Sequence, residues 1–216
     1  MSAYFVTSVG TGIGKTFTTC ALLHAAKQQK MDAVGCKPII SGWDDSADTD
    51  TAKIISIVGG DVDGVSPWRF KAPLSPHMAA PKERKHIDVE QVIAWTNERK
   101  AKHRLSLFET VGGIMVPLDD HYTTLDWMQG ANLPVILTTG SYLGSISHTL
   151  TALAVLKVVG IEVKALVMNE SEEGIAFEEA VAGLKPFIKN IPLQIFQPRV
   201  SSQEQAHSIH ALAMQL

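Results

Sequence analysis

The stretch that most constrains this chain is Ser8-Val9-Gly10-Thr11-Gly12-Ile13-Gly14-Lys15-Thr16. An apolar, β-branched run, Tyr4-Phe5-Val6-Thr7, precedes it, and a helical pattern from Phe17 to Lys27 follows. Strand, glycine-rich turn, Lys-Thr and helix form the order that a phosphate-cradling loop requires. Glycines let the backbone curl so that successive N–H groups converge on one anion. The helix that starts at the loop adds the positive end of its dipole. Lys15 has the reach for terminal phosphates, and the Thr16 hydroxyl suits a phosphate-bound Mg²⁺. The spacing G-x-x-x-x-G-K-[ST] places a glycine where Val9 stands; Gly10 and Gly12 supply the turn instead.

Around this loop, short β-rich runs alternate with helical patterns. Strands are predicted at 3–7, 34–37, 105–109, 135–139, 165–168 and 193–196. Helices are predicted at 15–28, 51–58, 89–102, 124–129, 146–159, 175–188 and 203–215. Several strands are unbroken apolar runs, which implies burial on both faces. The alternation therefore predicts one α/β domain over residues 1–216: a doubly wound, mainly parallel sheet in three α/β/α layers, as in P-loop NTPases. The stretch 59–84 contains Pro67, Pro73, Pro76 and Pro81. It reads as a long loop that shapes a substrate pocket.

Composition narrows the partners. With 19 Lys and Arg against 22 Asp and Glu, the formal net charge is −3, so no global field draws nucleic acid or anionic lipid. The basic run Arg99–Arg104 falls at a predicted helix end, where cations offset the dipole. The apolar stretch 150–168 is interrupted by Lys157, Glu162 and Lys164, which argues against a membrane span. Cys20 and Cys36 read as buried free thiols of a reducing compartment. A first strand that begins at Ala3 leaves no room for a signal peptide, so a cytoplasmic location is expected.

In a doubly wound sheet, ligands bind beyond the carboxyl ends of the strands. The first strand delivers the phosphate loop, the second Lys37, the third Glu109 and the fifth Asn169, and these ends are expected to converge. Three motifs then carry a resemblance: the loop at 8–16, Lys37-Pro38-Ile39-Ile40-Ser41-Gly42, and Glu109-Thr110-Val111-Gly112-Gly113. With Ser75-Pro76-His77, Leu143-Gly144-Ser145-Ile146-Ser147-His148 and Asn169, in this order over nearly the whole chain, the sequence resembles the dethiobiotin synthetase family. The resemblance implies ATP-dependent closure of the ureido ring of dethiobiotin from 7,8-diaminononanoate and CO₂ or bicarbonate. It runs through a carbamate and a carbamic-phosphoric mixed anhydride. The implied assembly is a homodimer with the active site at the subunit interface, with neither nucleic acid nor membrane as partner.

The resemblance also implies roles. Gly12, Ile13, Gly14, Lys15, Thr16 and Phe17 wrap the triphosphate. Thr16, Asp50 and Glu109 hold Mg²⁺. Lys15, Lys37 and Thr11 are the catalytic group, and Gly112 belongs to the nucleotide site. Ser41 and Ser147 touch substrate. Asn169 reads the adenine, with Pro198, Arg199 and Val200 lining it. Asp48 and Asp50 both precede a predicted helix, so either is an N-cap and the other a ligand. The chain departs from the family at Ser8 and Gly10, where relatives have glycine and aspartate, and at Thr110-Val111, where they have glycine and alanine. It departs again at Ser147, where they have asparagine. A rival reading is a nucleotide-driven switch of the partition or metallocentre-maturation type, built on the same fold.

Overall fold

The computed structural model describes residues 1–44, 46 and 49–197. The helix expected at 203–215 and the segment Pro198-Arg199-Val200 lie outside them. Six strands form one sheet: β1 (Ser2–Ser8), β2 (Ala33–Cys36), β5 (Leu105–Glu109), β6 (Val135–Gly140), β7 (Val163–Asn169) and β8 (Leu193–Gln197). Their order is β2-β5-β1-β6-β7-β8, and every ladder is parallel.

Two buried clusters show why these strands are apolar throughout. Tyr4, Val6, Leu105, Leu107, Ile136 and Val167 pack on one face. Their neighbours Phe5, Phe108, Val135, Leu137, Leu166 and Met168 pack on the other. The period of two along each strand is real, but both phases are buried, so no polar alternation marks it.

The first face is covered by α1 (Lys15–Gln28) and α2 (Asp50–Val58) through Leu22, Leu23, Ala26, Ile54 and Ile57. The second is covered by α5 (Val89–Arg99), α6 (Thr124–Ala131), α7 (Ser145–Val158) and α8 (Phe177–Leu184). Trp127 of α6 is the largest fully buried side chain. Its ring meets Phe5 edge-on at 5.0 Å, and its Nε1 donates to Thr96 Oγ1 at 3.0 Å. The helix after β1 lies on one face and the helix after β6 on the other. The carboxyl ends of these adjacent strands therefore open the crevice where doubly wound sheets bind ligands.

The segment 59–84 is more ordered than expected. It holds α3 (Val62–Val65), β4 (Trp68–Phe70) and α4 (Pro76–Lys82), and β4 pairs in parallel with β3 (Ile39–Ser41) as a second, two-stranded sheet. The helix expected at 89–102 stops at Arg99. The one expected at 175–188 shortens to Phe177–Leu184, followed by a 3₁₀ turn at Lys185–Phe187 that contains Pro186. Cys36 is buried, whereas Cys20 is only half-buried. Arg99, the last residue of α5, stacks over Trp95, 3.9 Å from the ring centroid, and Lys100 is the C-cap. Among the described residues, no helix is long and apolar enough to cross a membrane.

Candidate active site

A cavity of about 930 Å³ opens at the carboxyl ends of β1, β2 and β5. The phosphate loop forms one wall. Gly12 and Gly14 hold φ of +74° and +88°, values that side-chain-bearing residues rarely adopt. Gly14 is the N-cap of α1; no side chain caps this helix and no acidic residue stands in its first turn. Such a terminus presents backbone N–H groups and a positive dipole end to an anion. Thr11, Gly12, Gly14, Lys15, Thr16 and Phe17 all line the cavity.

Lys37 follows β2 directly, and its backbone N–H is fixed on Val65 O at 3.0 Å. Its ammonium forms ion pairs with Asp50 and with Glu109 Oε1, the latter at 3.0 Å. Only 7% of Lys37 is exposed, and Glu109 is fully buried. Burial alone pushes the Lys37 ammonium down. The charges of Glu109 and Asp50 outweigh it and hold the group above the ordinary lysine value. Asp50 answers the same pair: burial raises its carboxyl, the Lys37 charge outweighs that, and the result lies below the ordinary aspartate value. Lys15 has a different balance. Burial pushes it down to about 8; Glu109 opposes the shift, and Lys37 adds to it.

Asp50 is not a cap. Thr49 is, its side chain accepting from Ala52 N–H at 3.1 Å. Asp50 is thus the first residue of α2, with its carboxylate turned to Lys37, and Asp48 lies outside the described residues. Thr16 Oγ1 donates to Glu109 Oε1 at 2.6 Å, while Glu109 Oε2 is buried with no hydrogen-bond partner. This orphaned oxygen, with Asp50 and the Thr16 hydroxyl, is a hard-oxygen donor set that fits Mg²⁺. Among the described residues, no three His, Cys, Asp or Glu side chains group as a self-sufficient metal site. Mg²⁺ sites completed by phosphate and water need only one or two carboxylates.

The remaining expectations divide. Ser41 and Gly112 line the cavity, and Ser41 Oγ is buried without a partner. Asn169 is not among the cavity-lining residues; it sits beside the phosphate loop, its Nδ2 donating to Ile13 O at 3.0 Å. Ser147 lies exposed on α7, apart from the cavity residues. His77 is tied to Ser75 Oγ at 2.9 Å through Nδ1. Pro73, Leu74, Ser75 and Pro76 line the cavity, so the 59–84 segment does form part of its wall.

The departures at 110 and 111 separate by face. Thr110 is fully buried and donates to Thr7 Oγ1 at 2.9 Å, so it faces the core; Val111 lines the cavity. Gly113, which the motif at 109–113 contains without marking as a site residue, supports the phosphate loop. A Cβ there would stand 3.3 Å from Gly10 N and from Val9 C and O. The turn after β5 therefore packs directly on the phosphate-loop backbone.

A family model described as an AAA domain matches residues 2–206. An ATP-dependent dethiobiotin synthetase of Caulobacter sp. (strain K31) is 38% identical, with 99% of this chain and 95% of the relative covered. Another, from Caulobacter vibrioides (strain NA1000 / CB15N), is 38% identical over 87% of this chain and 88% of its own length. Among solved structures, the cell division ATPase MinD of Pyrococcus furiosus superposes with a TM-score of 0.60. It is 16% identical, with 99% of this chain and 97% of that chain covered. That likeness bears on the fold alone.

Proposed function

The chain belongs to the ATP-dependent dethiobiotin synthetase family, and we propose that it closes the ureido ring of dethiobiotin from 7,8-diaminononanoate, CO₂ and ATP. One amine captures CO₂ and loses a proton, giving a carbamate. A carbamate oxygen attacks the γ-phosphorus, the bond to ADP breaks, and a mixed anhydride forms. The second amine attacks the carbonyl carbon, expels phosphate, loses a proton and closes the ring.

Oriented intramolecular attack reaches effective molarities of roughly 10⁵–10⁸ M, so ring closure needs little further help. The demanding step presses a carbamate anion against a triphosphate. The observation that supports this reading is that Lys15, Lys37 and Glu109, from three separate segments of the chain, line a single cavity beside the N-terminus of α1. In this reading Lys15 neutralises the phosphates, Lys37 holds the carbamate, and Thr11 donates on the phosphate side. Thr16, Asp50 and Glu109 would hold Mg²⁺, which supplies charge neutralisation at the phosphate oxygens. Ser41 contacts the diamine. Asn169 reads the base, and Ser147 reaches the substrate of a second copy of the chain.

The assay is direct. Purified protein with 7,8-diaminononanoate, bicarbonate and Mg-ATP is expected to yield one dethiobiotin per ADP. ADP release that ignores the diamine and rises only with DNA or a protein partner would establish the rival switch.

A further inference from the structure

We propose that Ser8 is a positioning residue for Lys15, fixing the ammonium and locking the phosphate loop to the turn after β5; this rests on reading the cavity as the ATP site. Ser8 ends β1 and is fully buried. It is absent from the cavity lining, so it acts through Lys15. An ammonium only donates; hence at 2.9 Å between Lys15 Nζ and Ser8 Oγ the hydroxyl is the acceptor. Its own proton is left for a carbonyl, and two are in reach: Gly10 O at 2.5 Å and Gly112 O at 3.0 Å. Gly10 O also accepts from Lys15 Nζ at 3.1 Å.

One hydroxyl at the end of β1 thus accepts from the lysine and shares its single proton between the loop carbonyl at 10 and Gly112 O of the turn after β5. Two of the three Lys15 donors are used on the loop itself. One remains for an oxygen in the cavity that Lys15 lines. A glycine at position 8 would leave the ammonium with Gly10 O as its partner and would remove the side-chain contact to Gly112 O, while the backbone bond from Ile114 N–H to the carbonyl of residue 8 remains. The hydroxyl is the part of Ser8 that matters; its Cβ is incidental.

The test compares Ser8→Ala, Ser8→Thr and Ser8→Cys with the parent. The readouts are dethiobiotin formation with ATP and diamine varied separately, ATP binding by calorimetry, and melting temperature. Loss of a hydrogen bond to a charged group predicts a drop of about tenfold in kcat/KM for ATP and in ATP affinity for Ser8→Ala. KM for the diamine stays within about twofold, and melting falls by only a few degrees. Ser8→Thr, which keeps the hydroxyl, recovers most of the loss. Ser8→Cys, close in size but a weak hydrogen-bonding group, follows alanine, and it serves if threonine is too large for the site. Parent-like ATP parameters in Ser8→Ala would overturn the proposal, as would equal losses toward ATP and diamine with lowered melting. If the parent forms dethiobiotin and Ser8→Ala matches it, the Ser8 role alone fails. If the parent binds ATP with the Ser8 dependence but forms no dethiobiotin, the synthetase reading alone fails.

Discussion

At the scale of single residues, the site is a contest between burial and charge. Lys37 stays charged because two carboxylates flank it. Lys37→Ala removes a contact expected to matter most in the transition state, and dethiobiotin formation should fall about 10²–10³-fold. The same change leaves the buried Glu109 without its cation, which lowers stability. Adding Glu109→Gln in that background should restore melting temperature but not turnover. Recovery of both would place Lys37 in the fold and not in the reaction. Lys15 gives a second, pH-dependent prediction. Its folded value of about 8 lies below the ordinary 10.5. Between these values the unfolded chain binds more protons, so this group's penalty is full below about 8 and fades as pH rises toward 10.5. Phosphate charge favours the ammonium, so ATP binding near pH 9 should take up part of a proton. Calorimetry in buffers of differing ionisation enthalpy would detect that uptake, and Lys15→Ala should abolish it.

At the scale of elements, the long and strongly patterned pieces were legible, and the short ones were not. Residues 15–28 and 105–109 match their elements end to end. The first has a glycine-rich start that only a helix N-terminus explains; the second is an unbroken apolar run. By contrast, β3 and β4 have three residues each and stand only because they pair with each other. Their proline-rich surroundings read as loop. The sequence points to an aspartate as the cap of α2 because it offers Asp48, Thr49 and Asp50 in a row, whereas the backbone selects Thr49. Likewise, Lys37 and Glu109 were visible as strand ends and Lys15 in the phosphate-loop motif, whereas Gly113 and the hydrogen bonds of Ser8 depend on contacts between distant loops. Two substitutions probe this level. Thr123 and Asp126 form a capping box on α6, and neither lines the cavity. Thr123→Ala should remove about 1 kcal/mol and lower melting by about 2–4 °C, with turnover unchanged. Gly113→Ala sets a methyl against backbone that cannot rotate away. It should shift the phosphate loop by tenths of an ångström and cut kcat/KM for ATP by about tenfold. An unaffected KM for ATP would show that the loop does not lean on this turn.

At the scale of the whole molecule, the topology divides the expected site between two places. The cavity collects residues from the phosphate loop, α1, β3, α2, the end of β5 and the segments that follow β2 and β5. The segment 143–148 follows β6, and it is not part of that cavity. Leu143 within it is 85% exposed, although a large apolar side chain gains from burial. In the proposed homodimer a second copy of the chain would cover Leu143 and bring Ser147 and the N-terminus of α7 to the neighbouring cavity. Leu143→Glu should therefore convert a dimer to monomers in sedimentation experiments and lower kcat. The phosphate loop, complete within one chain, should bind ATP as before. A monomeric Leu143→Glu variant with full turnover would show that each chain holds a whole active site, and Ser147 would then have no part in binding the diamine.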